Sequence, residues 1–194
     1  MVSIRQVRSG IDFNDFVEFP YRLYKDAPLW VPPLKNDERH LLSTDLHPFW
    51  KNASQDLFLA CEGGRVVGRI AAICDYTYIR YAKERCGAFG FFECENNPHA
   101  AHCLLHAAAE ALEARGMDYM RGPVNPSTNY TCGLLVDGFS EPPALMMPWN
   151  PPYYRDLLES WQMYKEEDLF AYRISRDTLS VSADLSAQLE EIKQ

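Results

Sequence analysis

The sequence predicts an α/β (α+β) fold in which a mixed, mostly antiparallel sheet is flanked by helices. Three observations carry that expectation. Residues 56–75 contain two β-rich runs, Leu57–Cys61 and Val66–Ile73, separated by Glu62-Gly63-Gly64-Arg65, whose glycines are free to adopt the positive φ of a tight hairpin turn. A third run, Ala88–Glu93, follows them. The period then changes: Ala101, Leu104, Leu105, Ala108 and Leu112 fall on one stripe of a helix. Met117–Gly122 returns to strand character, so this helix crosses over to a strand parallel to the one before it.

The remaining elements are placed in chain order. Val2–Arg8 alternates apolar and polar residues, which predicts a strand ended by Ser9-Gly10. Asp12 is a candidate cap for a helix from Phe13 to about Lys25. The stretch Asp26–Leu34 holds three prolines and is predicted to be a packed loop, because its Leu29, Trp30 and Val31 are apolar. Asp37–Leu46 predicts a short helix stopped at His47-Pro48. Tyr76–Gly87 connects the second and third runs. For the long helix, Asn97 is the expected N-cap, Pro98 suits its first turn, and Gly116 is its stop. Residues 123–152, rich in Pro, Asn and Gly, predict an irregular insertion with a hairpin around Asp137-Gly138. A helix over Tyr153–Gln162 and a last strand over Asp168–Ile174 complete the domain, and a polar segment follows from Arg176.

Composition narrows the function classes. The 194 residues are 47% hydrophobic and 13% aromatic, which is too apolar for a disordered chain. The formal net charge of −8 comes without a basic cluster, which argues against nucleic acid or an anionic membrane as partner. No apolar run approaches the ~18 residues of a membrane span, and no apolar core follows a basic head at the N-terminus, so the expected location is cytoplasmic. Six cysteines at irregular spacing, without C-x-x-C, are expected to be free thiols. His99, His102 and His106 lie within about 60° of each other on the helix, but Glu110 and Glu113 share that face, so a solvated face is expected and no metal is assigned.

Several stretches together resemble a bacterial family of the GNAT, or acyl-CoA N-acyltransferase, superfamily: Tyr24-Lys25-Asp26-Ala27-Pro28-Leu29-Trp30-Val31-Pro32-Pro33-Leu34, Gly68–Ile73, Gly90-Phe91-Phe92-Glu93, Gly122–Asn129 and Gly133–Phe139. The resemblance covers residues 1–175, which it implies are one GNAT-like domain, the N-terminal half of a longer protein. Residues 176–194 would then be a connecting or helical tail. It implies acyl transfer from acetyl-CoA or another acyl-CoA to an amine acceptor, both small molecules, and pairing with a second copy or a second GNAT-like domain.

In that superfamily the pantetheine arm of the donor lies where the fourth strand splays from the fifth, and the pyrophosphate sits over the next helix N-terminus. Carried onto this sequence, Phe91 and Phe92 would flank the arm, and Asn97, His99, Ala100, Ala101 and His102 would line the phosphate site. The usual Q/R-x-x-G-x-G/A loop has no glycine here. Glu93 is the candidate general base. The superfamily's acid is a tyrosine on a later helix; alignment puts Leu158 at that position, and Tyr153 and Tyr154, one turn earlier, are the candidates. Asn125, Ser127 and Asn129 either bind the acceptor or satisfy loop backbone. The competing reading is a non-catalytic GNAT-like binding or interaction module.

Overall fold

The computed structural model of the chain describes residues 1–172 and residue 175. The chain divides into Met1–Tyr164 and Lys165–Gln194. The first unit contains five main-sheet strands, β1 (Val2–Gln6), β2 (Ala53–Glu62), β3 (Arg65–Asp75), β4 (Cys86–Cys94) and β5 (Tyr119–Arg121). They are hydrogen-bonded in the order β1-β2-β3-β4-β5. The first four strands are antiparallel to their neighbours and β4–β5 is parallel. This is the predicted mixed, mostly antiparallel sheet.

Five helices flank it: α1 (Gly10–Leu23), α2 (Lys35–Leu42), α3 (Tyr76–Ala82), α4 (Pro98–Glu113) and α5 (Tyr154–Ser160). Ser9, not Asp12, caps α1. Its side chain accepts from the Asp12 amide, and Asp12 reaches back to the Ser9 amide, so the two residues form a capping box. The second helix stops at Leu42, earlier than the sequence predicts, because Ser43 is extended; a 3-10 turn, Pro48–Asn52, follows. The connection over 76–87 contains α3, capped by the Asp75 carboxylate at the Thr77 and Tyr78 amides.

Strand alternation divides the core between two sheet faces. On one face Val67, Ile70 and Phe89 pack with the α4 stripe, whose Leu104, Leu105 and Ala108 are fully buried, and with Tyr154 and Leu157 of α5. On the other, Leu59, Ala71, Ile73 and Phe91 pack with Phe16 and Phe19 of α1 and with Leu42 and Trp50. Burying a leucine of this kind contributes about 1.5–3 kcal/mol, so the stripe holds the crossover helix on the sheet.

The 123–152 insertion pairs Val124–Asn125 (β6) with Thr131–Cys132 (β7). The hairpin thus lies before Asp137-Gly138, where the chain only bends at Asp137 ahead of a turn over 139–140. The cause is Ser127, whose carbonyl takes the Tyr130 amide and whose hydroxyl takes the Asn129 amide, closing the turn between β6 and β7. In the second unit, residues 168–172 form no strand, and Leu169, Phe170 and Tyr172 are exposed rather than paired. The rest of the predicted last strand, Arg173 and Ile174, and the segment from Arg176 lie outside the described residues. Among the described residues no helix is long and apolar enough to cross a membrane, and none of the six cysteines is joined in a disulfide.

Candidate active site around Glu93

The site originates in a defect of the sheet. Arg69 of β3 pairs with Glu93 of β4, and Ala71 pairs with Gly90, so Ile70 alone faces both Phe91 and Phe92. The extra residue makes a β-bulge, and Phe91 absorbs the bend at φ 50°. The parallel ladder to β5 ends at Ala88↔Arg121, while β4 continues to Cys94. Past Ala88, β4 runs on beyond the end of β5, which stops at Arg121, and this leaves its backbone groups on that edge in need of partners.

Side chains supply them. The Phe91 amide donates to Asn125 Oδ1 at 2.6 Å. The Cys94 amide donates to the Tyr154 hydroxyl at 2.8 Å, and the Cys94 carbonyl accepts from the Tyr153 hydroxyl at 2.9 Å. Gly90 lets β6 approach this region: a Cβ there would lie 1.9 Å from the Val124 carbonyl oxygen.

Glu93 sits at the centre. Its Oε2 accepts from the Tyr154 hydroxyl at 2.7 Å and from the Tyr24 hydroxyl. The two hydroxyls are 2.7 Å apart. Tyr24 immediately follows α1, is 4% exposed, and is covered by Trp30 and Trp149, whose ring centroids stand 5.2 and 4.9 Å away. Opposite Glu93, the buried Arg69 guanidinium donates to Glu38 Oε1 and to the Phe16 carbonyl, both at 2.8 Å, and lies over the Phe16 ring. Arg69 Nε is buried without a partner among the described residues.

Burial is the main cause that raises the Glu93 carboxyl above the usual range, against the opposing charge of Arg69 and the two tyrosine hydrogen bonds. Burial and the neighbouring Glu93 hold the hydroxyls of Tyr24 and Tyr154 well above the ordinary tyrosine value. Burial also pushes the Cys94 thiol up to about 12, so it is no thiolate nucleophile near neutral pH.

The sequence-predicted residues are thus divided. Glu93, Tyr154, Tyr153, Phe91, Phe92 and Asn125 come together; the Phe92 ring packs on Tyr154 at 5.3 Å. Ser127 and Asn129 close the β6–β7 turn instead. At the α4 N-terminus Asn97 Oδ1 already accepts the Ala100 amide, and Pro98 has no N–H. Ala100 and Ala101 are fully buried under the sheet. His99 is exposed, and His102 shares a 2.9 Å contact with Ser160. Glu95 forms a two-pronged ion pair with Arg65. The α4 terminus therefore has few free amides to offer an anion. Among the described residues no group of three or more His, Cys, Asp or Glu side chains is arranged to hold a metal ion.

Sequence reasoning missed Tyr24, Arg69 and Glu38. Tyr24 is 69 residues from Glu93. Arg69 alone carried a signal, a charge within the otherwise apolar run Val66–Ile73; Glu38 and Tyr24 stand among other polar residues.

No family model matches the chain. It is 35% identical over 194 residues to a protein of Caulobacter vibrioides (strain NA1000 / CB15N) named bacterial ceramide synthase, covering all of this chain and 48% of that one. It is 32% identical over 192 residues to protein YghO of Escherichia coli (strain K12), covering 97% and 49%. The chain spans about half the length of these relatives. Among solved structures, an aminoglycoside acetyltransferase from an uncultured soil metagenomic sample superposes with a TM-score of 0.54 at 11% identity, over 90% of this chain and 95% of that one. A tandem GNAT protein from the clavulanic acid biosynthesis pathway gives 0.54 at 12%, over 84% and 43%. The chain carries the fold of the GNAT acetyltransferases.

Proposed function

We propose that the chain is the acyl-transferring part of an N-acyltransferase that moves an acyl group from acetyl-CoA or a longer acyl-CoA to an amine, in the cytoplasm. The observation that carries this reading is the Glu93–Tyr154 contact of 2.7 Å beside the bulge, which sets a proton acceptor and a proton donor side by side at the end of β4. A bound acyl thioester supplies the electrophilic carbonyl. Glu93 takes the proton of the attacking amine, and Tyr154, a hydroxyl held protonated, gives one to the departing sulfur. Phe91 and Phe92 flank the arm, and Asn97, His99 and His102 border its phosphates. Asn125 holds the bulge amide and orients the acceptor side; Tyr153 secures the end of β4.

The name of one relative, ceramide synthase, denotes amide formation on a long-chain amine, which supports the same reaction class with a lipid-like acceptor. The tandem GNAT structure and the half-length match support pairing with a second GNAT-like domain. The test incubates the chain with acyl-CoAs of two to sixteen carbons and a panel of small and long-chain primary amines, with amide and free CoA quantified by mass spectrometry. Amide formation is expected, with turnover about 10²–10⁴-fold lower in Glu93→Gln and Tyr154→Phe. Amide formation unaffected by either change would overturn the assignment.

A second reading is favoured by one set of contacts. The Phe91 amide and both Cys94 backbone groups are already satisfied by Asn125, Tyr154 and Tyr153. A chain whose own side chains satisfy the end of β4 in this way would serve as a non-catalytic GNAT-like binding or interaction module. It predicts no acyl-CoA turnover with any amine.

A further inference from the structure

We infer that Glu93 rests as the neutral carboxylic acid and passes protons through both of its oxygens, with Tyr24 closing a three-oxygen ring that holds it in that state. The inference rests on the transferase reading and assigns Tyr24 as a positioning residue.

The argument is a proton count. Three oxygens, Glu93 Oε2 and the hydroxyls of Tyr24 and Tyr154, make all three of their mutual contacts at hydrogen-bonding separation. Each contact needs a proton between its oxygens. The tyrosines contribute one proton apiece, and the Cys94 amide already occupies an acceptor lone pair of Tyr154. With Glu93 ionised, both hydroxyls would turn to Oε2. The tyrosine oxygens would then face each other at 2.7 Å with no proton between them. A third proton, on Oε2, lets each member donate once around the ring.

A charge count agrees. Arg69 is the cation facing Glu93, but it already donates to the buried carboxylate of Glu38 at 2.8 Å. Glu38 and Arg69 are neutral together, so an ionised Glu93 would leave a net negative charge at this half-buried position. The groups facing Glu93 are Tyr24 after α1, Glu38 of α2, Arg69 of β3 and Tyr154 of α5.

Oε1 of Glu93 stands outside the ring, without a partner among the described residues. The acid can therefore act at both oxygens in one step. Oε1 accepts the amine proton as the new C–N bond forms; Oε2 hands its own proton to Tyr154; Tyr154 releases its hydroxyl proton to the sulfur as the C–S bond breaks. One proton moves from nitrogen to sulfur, Glu93 ends protonated, and no net charge develops on the buried side chains.

The test is a ¹³C NMR titration of the full chain labelled at glutamate side-chain carboxyls, with the Glu93 signal assigned by its loss in Glu93→Gln. It needs neither donor nor acceptor, so its failure is distinct from failure of the transferase reading. The Glu93 signal is expected at the protonated position at pH 7, whereas exposed glutamates titrate near ~4.3. Glu38→Gln, which frees the Arg69 charge, is expected to shift the Glu93 midpoint downward by about one pH unit or more, a tenfold change. A carboxylate signal for Glu93 at pH 7 in the unsubstituted chain overturns the inference, whether or not Glu38→Gln folds. In the turnover assay the shuttle predicts a kcat that falls as pH rises through the Glu93 midpoint. A kcat that rises through it indicates a simple base and overturns the shuttle while leaving the transferase reading in place.

Discussion

Gly90→Ala is the substitution to which this architecture is most exposed. The added Cβ would lie 1.9 Å from the Val124 carbonyl oxygen, 2.8 Å from its carbonyl carbon and 3.0 Å from Asn125 Oδ1. Two of these are backbone atoms, so no rotamer change relieves them and β6 must move. Moving β6 pulls Asn125 from the Phe91 amide, which it holds at 2.6 Å. An unmade buried amide hydrogen bond costs about 1–3 kcal/mol. Forced displacement of packed chain adds about 1–3 kcal/mol. The expected loss is about 2–6 kcal/mol, and Tm should fall by roughly 5–15 °C for a chain of this size. Urea denaturation followed by circular dichroism measures it. Gly10→Ala is the control: nothing lies within 4 Å of its Cβ position, in the first turn of α1. It should leave stability unchanged or raise it by up to about 1 kcal/mol. A Gly90→Ala chain within about 1 kcal/mol of the unsubstituted protein would refute the account of how β6 is seated.

Three further outcomes are expected. Gly68→Ala would bring its Cβ 2.7 Å from Leu104 Cδ1, a flexible side-chain tip; Leu104→Ala alone should cost about 3–5 kcal/mol, and the double substitution should cost less than the sum by about 1 kcal/mol in a denaturation cycle. Strictly additive values would contradict that contact. Glu38→Ala should destabilise by about 3–5 kcal/mol, because the buried Arg69, with its side chain 4% exposed, loses its ion-pair partner; a neutral effect in the same assay would show that Glu93 or solvent takes over that role. The third concerns pH. The folded Glu93 carboxyl lies above its unfolded value, so the folded chain binds the extra proton. Its contribution is fully present below the unfolded value and is lost as pH rises through the folded one. Glu93→Gln keeps the neutral shape, so it should match the unsubstituted chain in acid and become relatively more stable as pH rises. A difference that stays constant from acid to alkaline pH would refute this.

The sheet was legible because its signals are local. Gly63-Gly64 mark the hairpin, and the Ala101–Leu112 stripe is a period that one segment carries alone. Errors arose where two local signals competed. Asp12 and Ser9 both resemble caps, and in the structure they serve one capping box. Asp137-Gly138 is a strong turn dipeptide, yet the pairing falls at β6–β7, where Ser127 closes a less conspicuous turn. Of the candidate site, Glu93 and the two adjacent tyrosines could be named only through the family resemblance, which points to the end of one strand and the start of a later helix. Their division of labour could not: Tyr154 reaches the carboxylate and Tyr153 the Cys94 carbonyl, which depends on the rotation of α5. Ala100 and Ala101, expected at a phosphate site, are core residues, because the helix stripe begins at its first turn. Tyr24 was invisible as a site residue, since only tertiary packing under Trp30 and Trp149 brings it to Glu93.

The most direct test of the central claim is calorimetric titration of the chain with acetyl-CoA and with acyl-CoAs of increasing length. The bulged end of β4 with its Glu93–Tyr154 pair predicts saturable binding to one site per chain, weakened when Phe92→Ala removes the ring that packs on Tyr154. No binding of any CoA thioester by a chain shown to be folded would contradict the acyltransferase account and leave the non-catalytic module in its place.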